Sequence, residues 1–457
     1  MGYYFLKRLF LFVPVLLVLA LLSFWLTRNT PGDPVLRSLS KEGLRMGNDP
    51  LSGPEVYIRK WQELGLNRPI FYCAVFAPHE PDSLFAIPFP QDKEWVQDLS
   101  AATGNPECWQ ALYFSLLSAE RQMFQMPSDS SRTLILTRLR ELRSEPPQQV
   151  GDAIIRLKAQ FPAYPLNQIA LPAGMEQPGW YSLMPRFRWY GSNNAFHEWL
   201  KRVVRMDLGL SYRDGRPVAS HLPTALLWTF LVNFLSLLLA LVVSIPAGVY
   251  SARAYGSSGE RLLNGLLFIL YSIPAFWLAT LLLVFFASGT FLDWFPAGGI
   301  ADIRSQDNWP WYRKLADWSW HLVLPTFAYA YSAFAFLTGQ VRNAMLENIQ
   351  ADFIRTARAK GLPEKIVIWK HALRNSLLPL ITLVAQIIPG LVGGSIILET
   401  IFSIPGMGLL TWQAVSMRDY PVLIAVFMLS GLLTLTGVLV ADFLYRIADP
   451  RIRLEKS

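Results

Sequence analysis

Asp352-Phe353-Ile354-Arg355-Thr356-Ala357-Arg358-Ala359-Lys360-Gly361-Leu362-Pro363, continued by His371-Ala372-Leu373-Arg374-Asn375, is a strongly basic stretch wedged between two long apolar segments. Ile354, Ala357 and Gly361 recur at helical spacing, and the small residues at 357, 359 and 361 permit close approach of another protein surface. Gly361 suits the position just past a helix end, and Pro363 the first turn of a following helix. The spacing predicts a short helix parallel to a membrane, a sharp turn, and a helix leading into the next apolar segment. Attraction to anionic headgroups accounts for any one arginine. It does not account for the spacing of the small residues.

The apolar segments around this stretch set the class. Of 457 residues 52% are hydrophobic and 16% charged, with a mean hydropathy of +0.29; an average soluble domain carries about 25% charged residues. Uncharged runs occupy 9–27, 222–252, 262–292, 322–341, 375–398 and 421–441. A bilayer core needs roughly 20 apolar residues per helix, so each run is long enough to span. The expectation is an all-α membrane protein of six transmembrane helices: one within 1–28, then about 222–250, 263–290, 321–342, 375–398 and 421–445. A cytoplasmic loop would occupy 343–374 and a cytoplasmic tail 448–457. Ser272-Ile273-Pro274 and Ser244-Ile245-Pro246 either kink spans three and two or sit at helix ends.

The net charge of +8 points to topology and not to nucleic acid. Lys7 and Arg8, Arg253 and Arg261, the group from Arg342 to Arg374, and the group from Arg446 to Lys456 all fall on one side if the spans alternate. By the positive-inside rule that side is cytoplasmic, as are both termini. The first run lacks a small-residue cleavage site, so a retained helix is expected there rather than a signal peptide.

Residues 29–221 are then extracytoplasmic and read as mostly helical. Helices are expected at 54–65, at 131–144 with Leu134, Ile135, Leu139 and Leu142 on one face, and at 148–161 with Val150, Ile154, Leu157 and Phe161. An amphipathic helix at 194–206 either lies on the membrane surface or packs under the external region. Proline-rich connectors fill 77–90 and 162–188. Cys73 and Cys108 are the two cysteines; in an oxidising compartment they either form one disulfide or remain buried thiols. No cysteine or histidine spacing suggests a metal, and no catalytic constellation is visible. No G-x-x-x-x-G-K-[S/T] loop occurs, so the chain binds no cofactor of its own and ATP with Mg must be used by another polypeptide. Among polar residues in the spans, Gln386 and Asn233 are candidates for a translocation pathway, with glue between helices as the alternative.

The 352–375 stretch resembles the cytoplasmic coupling loop of permease subunits of binding-protein-dependent ABC importers, of the dipeptide/oligopeptide/nickel class. Matching motifs lie far apart: Pro31-Gly32-Asp33-Pro34, Glu63-Leu64-Gly65-Leu66, Asp207-Leu208-Gly209, Glu399 through Gly408, Arg418-Asp419-Tyr420-Pro421 and Asp449-Pro450-Arg451-Ile452-Arg453. The general loop pattern opens with glutamate-alanine-alanine, where Arg355-Thr356-Ala357 stand here, a departure that looks typical of the peptide class. The resemblance implies a type I ABC importer fold and a bacterial inner-membrane location. It implies contact of Arg355, Thr356, Ala357, Arg358, Ala359, Gly361 and Leu362 with an ATPase. It further implies as partners a second homologous permease, two ATPase subunits, an extracytoplasmic solute-binding protein and membrane lipid. The cargo it implies is di- or oligopeptide, with nickel or oligosaccharide as alternatives. Residues 73–193 depart from the family as a large insertion between helices 1 and 2, which either contacts a solute-binding protein or decorates the complex. A membrane-anchored extracytoplasmic enzyme or receptor would need a catalytic constellation in 29–221, and a secondary transporter would need charges at mid-membrane; neither is seen.

Overall fold

The computed structural model describes residues 2–29, 33–41, 53–77, 80–127, 129–171, 185–289, 291–302 and 309–448. Pro31 and Gly32, residues 172–184 of the second connector, and the motif from Asp449 onward lie outside them. The chain divides into two compact units, residues 1–30 with 206–457, and residues 31–205.

The 31–205 unit holds α2 (Pro34–Lys41), α3 (Gly53–Glu63), β1 (Cys73–Phe76), α4 (Pro90–Thr103), α5 (Pro106–Gln125), α6 (Ser130–Glu141), α7 (Pro147–Gln160), β2 (Arg186–Trp189) and α8 (Ala195–Val204). Asn105 and Asp129 start α5 and α6 by accepting from the main-chain N–H groups of Cys108 and Arg132, satisfying donors a helix start leaves free. The apolar faces of α4 to α7 meet in one core around Val96, Trp109, Tyr113, Ile135, Leu139 and Ile154. In α6 the expected face is rotated. Leu134 is exposed and Leu136 buried, while Arg132 is drawn inside because its guanidinium donates to the Met126 carbonyl (2.6 Å). The antiparallel ribbon β1–β2, with register Cys73↔Trp189 through Phe76↔Arg186, was not expected from a mostly helical reading. It brackets the segment that departs from the family pattern. Phe196 of α8 packs against Phe71, Tyr72 and Trp199, which favours packing within this unit over a membrane-surface role.

The other unit holds α1 (Gly2–Arg28), α9 (Val218–Arg253), α10 (Ser258–Ser272), α11 (Ala275–Phe286), α12 (Trp311–Ile349), α13 (Asp352–Ala359), α14 (Glu364–Ile366), α15 (Leu373–Ile387), α16 (Ile396–Ile401), α17 (Met407–Ser416) and α18 (Tyr420–Ala448). Among the described residues five continuous helical stretches are long and apolar enough to cross a membrane: Phe10–Arg28, Val218–Arg253, Trp311–Ile349, Glu364–Val392 and Tyr420–Phe443. The expected span at 263–290 is instead the pair α10 and α11, bent by 96°. Pro274 has no N–H to continue the helix, and Ile273 before it is extended, as residues preceding proline tend to be. Tyr331 Oη of α12 donates to the Ile273 carbonyl (2.6 Å). Pro246, by contrast, stays inside α9. The fifth stretch runs from 364 to 392, not 375 to 398. It contains a π-helical turn Val367–Ala372 and ends in a 3₁₀ turn Ile388–Val392 before Gly393-Gly394.

The unit is organised by α9 and α12. The rings of Trp228 and Trp318 meet at 5.7 Å. Ser236 Oγ donates to the Thr326 carbonyl (3.1 Å) and Ser244 Oγ to the Phe334 carbonyl (3.3 Å). Gly248 faces Val341 and the Thr338 carbonyl so closely that a Cβ would lie 2.6 Å from Val341 Cβ. Trp228–Trp318, Ser236–Thr326, Ser244–Phe334 and Gly248–Thr338 are each 90 residues apart, so the two helices run parallel in constant register. Ser236, Ala240, Ser244, Gly248 and Ala252, all buried, make the small-residue face that lets the backbones approach.

Candidate functional site

Two places in the 206–457 unit gather the residues of interest. The first is α13 with the turn after it. Ile354 and Ala357 point inward, into a cluster with Val249 and Ala252 of α9, Val341 and Met345 of α12, and Val367 and Ile368 of the π-helical turn. Arg355, Thr356, Arg358, Ala359, Lys360, Gly361 and Leu362 are exposed. Six of the seven expected contact residues therefore lie on one accessible surface. Ala357 does not: at 6% exposure it belongs to the chain's own core, because it sits three residues from Ile354 on the same helix face.

The end of α13 has the geometry expected of glycine at that position. Gly361 adopts φ 74°, its N–H donates to the Arg358 carbonyl (2.9 Å), and the Leu362 N–H donates to the Ala357 carbonyl (3.4 Å). This is the left-handed helix stop that satisfies the last carbonyls. Nothing lies within 4 Å of where a Gly361 Cβ would be, so the requirement is backbone conformation and not internal space. Across the turn, the Arg358 guanidinium holds the Glu364 carboxylate through Nη2–Oε1 (2.7 Å) and Nε–Oε2 (3.2 Å), pinning the elbow between α13 and α14. Close by in sequence terms, Arg342 of α12 binds Glu260 of α10 through Nη2 and Nε (2.6 and 2.8 Å to Oε1), and Gly256 N–H donates to Glu260 Oε2 (2.6 Å). That pair ties the α9–α10 turn to α12.

The second place lies where α9, α15 and α18 converge on an apolar cavity of about 450 Å³, lined by Phe230, Phe234, Leu391, Val392, Leu433 and Gly437 among others. Asn233 does not line it. Its Nδ2 donates to the main-chain oxygens of Leu391 (3.1 Å) and Gly393 (3.3 Å), bracing the 3₁₀ turn against α9. Gln386 is exposed and also does not line the cavity.

Sequence reasoning assigned no role to a buried, hydrogen-bonded carboxylate beyond that turn. Glu399 is 1% exposed. It accepts from Thr229 Oγ1 of α9 (2.8 Å) and from the Leu409 N–H at the start of α17 (2.9 Å), while Met407 N–H donates to Thr229 Oγ1 (2.8 Å). Burial pushes its carboxyl above the usual carboxylate range, against the pull of these donors. A Cβ on Gly394 or Gly406 would come within about 2.5 Å of its oxygens. An isolated acid in an apolar run was a usable signal, and the motif around it had been noted. Asp419 is a similar knot, accepting from Ser211 Oγ and from the N–H groups of Tyr212 (2.9 Å) and Arg213 (3.2 Å). Cys73 lies in β1 and Cys108 in the first turn of α5, both half-buried.

Among the described residues no group of three or more His, Cys, Asp or Glu is placed to hold a metal. The sequence profile of the family described as "Binding-protein-dependent transport system inner membrane component" matches residues 244–454. Oligopeptide transport system permease protein AppB of Bacillus subtilis (strain 168) is 40% identical over 268 residues, covering 58% of this chain and 82% of AppB. Inner membrane ABC transporter permease protein YejB of Escherichia coli O157:H7 is 36% identical, covering 58% and 74%. Probable peptide ABC transporter permease protein y4tP of Sinorhizobium fredii (strain NBRC 101917 / NGR234) is 35% identical, covering 56% and 79%. A chain of the inward-facing MetNI methionine ABC transporter overlaps 50% of this chain at 21% identity and a TM-score of 0.39, too low to argue from. The apolar helices make the chain a multi-pass membrane protein, and the relatives place it: it belongs to the inner membrane component family of binding-protein-dependent transport systems, a permease and not an enzyme.

Proposed function

We propose that this chain is one half of the translocation pathway of an ATP-driven importer of di- and oligopeptides. The observation that carries the reading is α13: its outer face is accessible and basic, while its inner face is seated on α9, α12 and the π-helical turn. A push on Arg355, Thr356, Arg358, Ala359, Gly361 or Leu362 by a separate ATPase thereby reaches three apolar helices at once. The motor is another subunit because the sequence carries no phosphate-binding loop. The likeness to the oligopeptide permease AppB and the probable peptide permease y4tP supports peptide as the cargo over nickel or oligosaccharide.

The parallel register of α9 and α12 supports a count of six spans. Since α9 and α12 run parallel, the chain has to recross the bilayer between them, and α10 with α11 is the segment available. That makes six crossings, with both termini and α13 on the cytoplasmic, basic side. Residues between β1 and β2 are then an extracytoplasmic insertion. The remaining partners are a second permease of the same family, two ATPase subunits, a solute-binding protein and the surrounding lipid.

Reconstitution tests the reading. With these partners in liposomes, labelled di- and oligopeptides should accumulate only with ATP, and Arg355→Glu with Arg358→Glu should abolish uptake and ATPase association while leaving membrane insertion intact. Uptake by this chain alone without ATP, or unaffected ATPase association in the double variant, would overturn it.

A further inference from the structure

We propose that the Glu399 carboxylate is the latch of an outer gate over the cavity between α9, α15 and α18. The end of that cavity nearest the starts of α9 and α18 is formed by Phe230, Leu391, Val392 and Leu433. Leu391 and Val392 belong to the 3₁₀ turn, which continues through Gly393-Gly394 into α16. What holds this segment across to α9 is hydrogen bonding at two levels. Asn233 grips the Leu391 and Gly393 carbonyls. Further along, Thr229 Oγ1 joins Glu399 to Met407, and Glu399 itself takes the Leu409 N–H.

A carboxylate is a poor choice for a permanent seal. The partners found for it are hydroxyl and main-chain donors, not a cation, and a buried charge of this kind stabilises less than a well-packed apolar group of the same size. It suits a seal that must open. On opening, Glu399 exchanges these donors for water, so the closed seal is held only by the modest net gain of a few hydrogen bonds. An apolar plug would instead lose its burial. The closure is also specific: the backbone at Gly394 and Gly406 wraps the carboxyl with no room for a Cβ, so the segment from the 3₁₀ turn to α17 fits closely around it.

The inference rests on the assignment of the start of α9 to the outside. The test uses the assembled complex in membrane vesicles, with both native cysteines replaced by serine and Val392→Cys introduced. Labelling by a membrane-impermeant maleimide is followed without ATP from the outer face, and separately from the inner face in inverted vesicles. Glu399→Gln and Thr229→Val should each raise outer-face labelling roughly tenfold, the equivalent of about 1.4 kcal/mol, and allow ATP hydrolysis without the solute-binding protein. Unchanged labelling from both faces overturns the latch. Acceleration confined to inverted vesicles overturns the orientation beneath it. Should Glu399→Gln fail to assemble, Thr229→Val keeps the main-chain donors and carries the same test; a drop in melting temperature with unchanged labelling would make the knot merely structural and overturn the proposal.

Discussion

Ala357 and Gly361 lie four residues apart in the basic segment, and both are small, yet the fold uses them for different reasons. Ala357 is small because it is packed into the cluster with Val249 and Met345. Gly361 is glycine because φ is 74° there. Gly361→Asn should therefore retain ATPase association and uptake, since asparagine tolerates the left-handed region, while Gly361→Val should lose both at a cost of about 1–2 kcal/mol. Pull-down of the ATPase and peptide uptake check this; equal loss in both variants would return the close-approach explanation. Ala357→Leu should lower the melting temperature through an overpacked core, by about 1–3 kcal/mol, whereas exposed Ala359→Leu should leave melting unchanged. The helical spacing of this segment was legible in sequence. Which small residue faces its own chain was not, because periodicity gives a face but not what covers it.

At the scale of elements, apolar runs located the long apolar helices and misjudged their ends. Charges stop a run but not a helix, so α12 extends to Trp311 and Ile349 beyond the expected 321–342. Proline was equally ambiguous: Pro246 and Pro325 are carried inside helices while Pro274 separates α10 from α11, and the Tyr331 hydroxyl that donates to the Ile273 carbonyl at the break comes from another helix. The parallel seam of α9 and α12 makes a sharp prediction. Gly248→Ala places a methyl 2.6 Å from Val341 Cβ and 2.9 Å from the Thr338 carbonyl, so one helix must shift. The variant should lower the melting temperature of the assembled complex and reduce uptake, with a cost of about 1–3 kcal/mol. Gly265→Ala, with nothing within 4 Å, is the control and should melt as the parent does.

For the whole molecule, the segment between β1 and β2 carries a hydrophobic core of its own, and its ends meet: the Tyr190 N–H donates to the Tyr72 carbonyl at 2.8 Å. A chain joining 72 to 190 through a short linker should insert, recruit the ATPase and hydrolyse ATP like the parent. Uptake that falls only through weaker solute-binding-protein affinity would assign the insertion a docking role; failure to insert would show that the two units do not fold independently. The sequence by itself determined the class of protein, the apolar helices and the basic segment between two of them, because hydrophobicity, charge placement and short motifs are local properties written along the chain. Only the tertiary structure decided that α9 and α12 run parallel, that Asn233 braces a turn, and that Glu399 closes on Thr229 from 170 residues away. Those facts depend on which donors and small faces meet in space, and a buried carboxylate declares its partners only after the chain has folded around it.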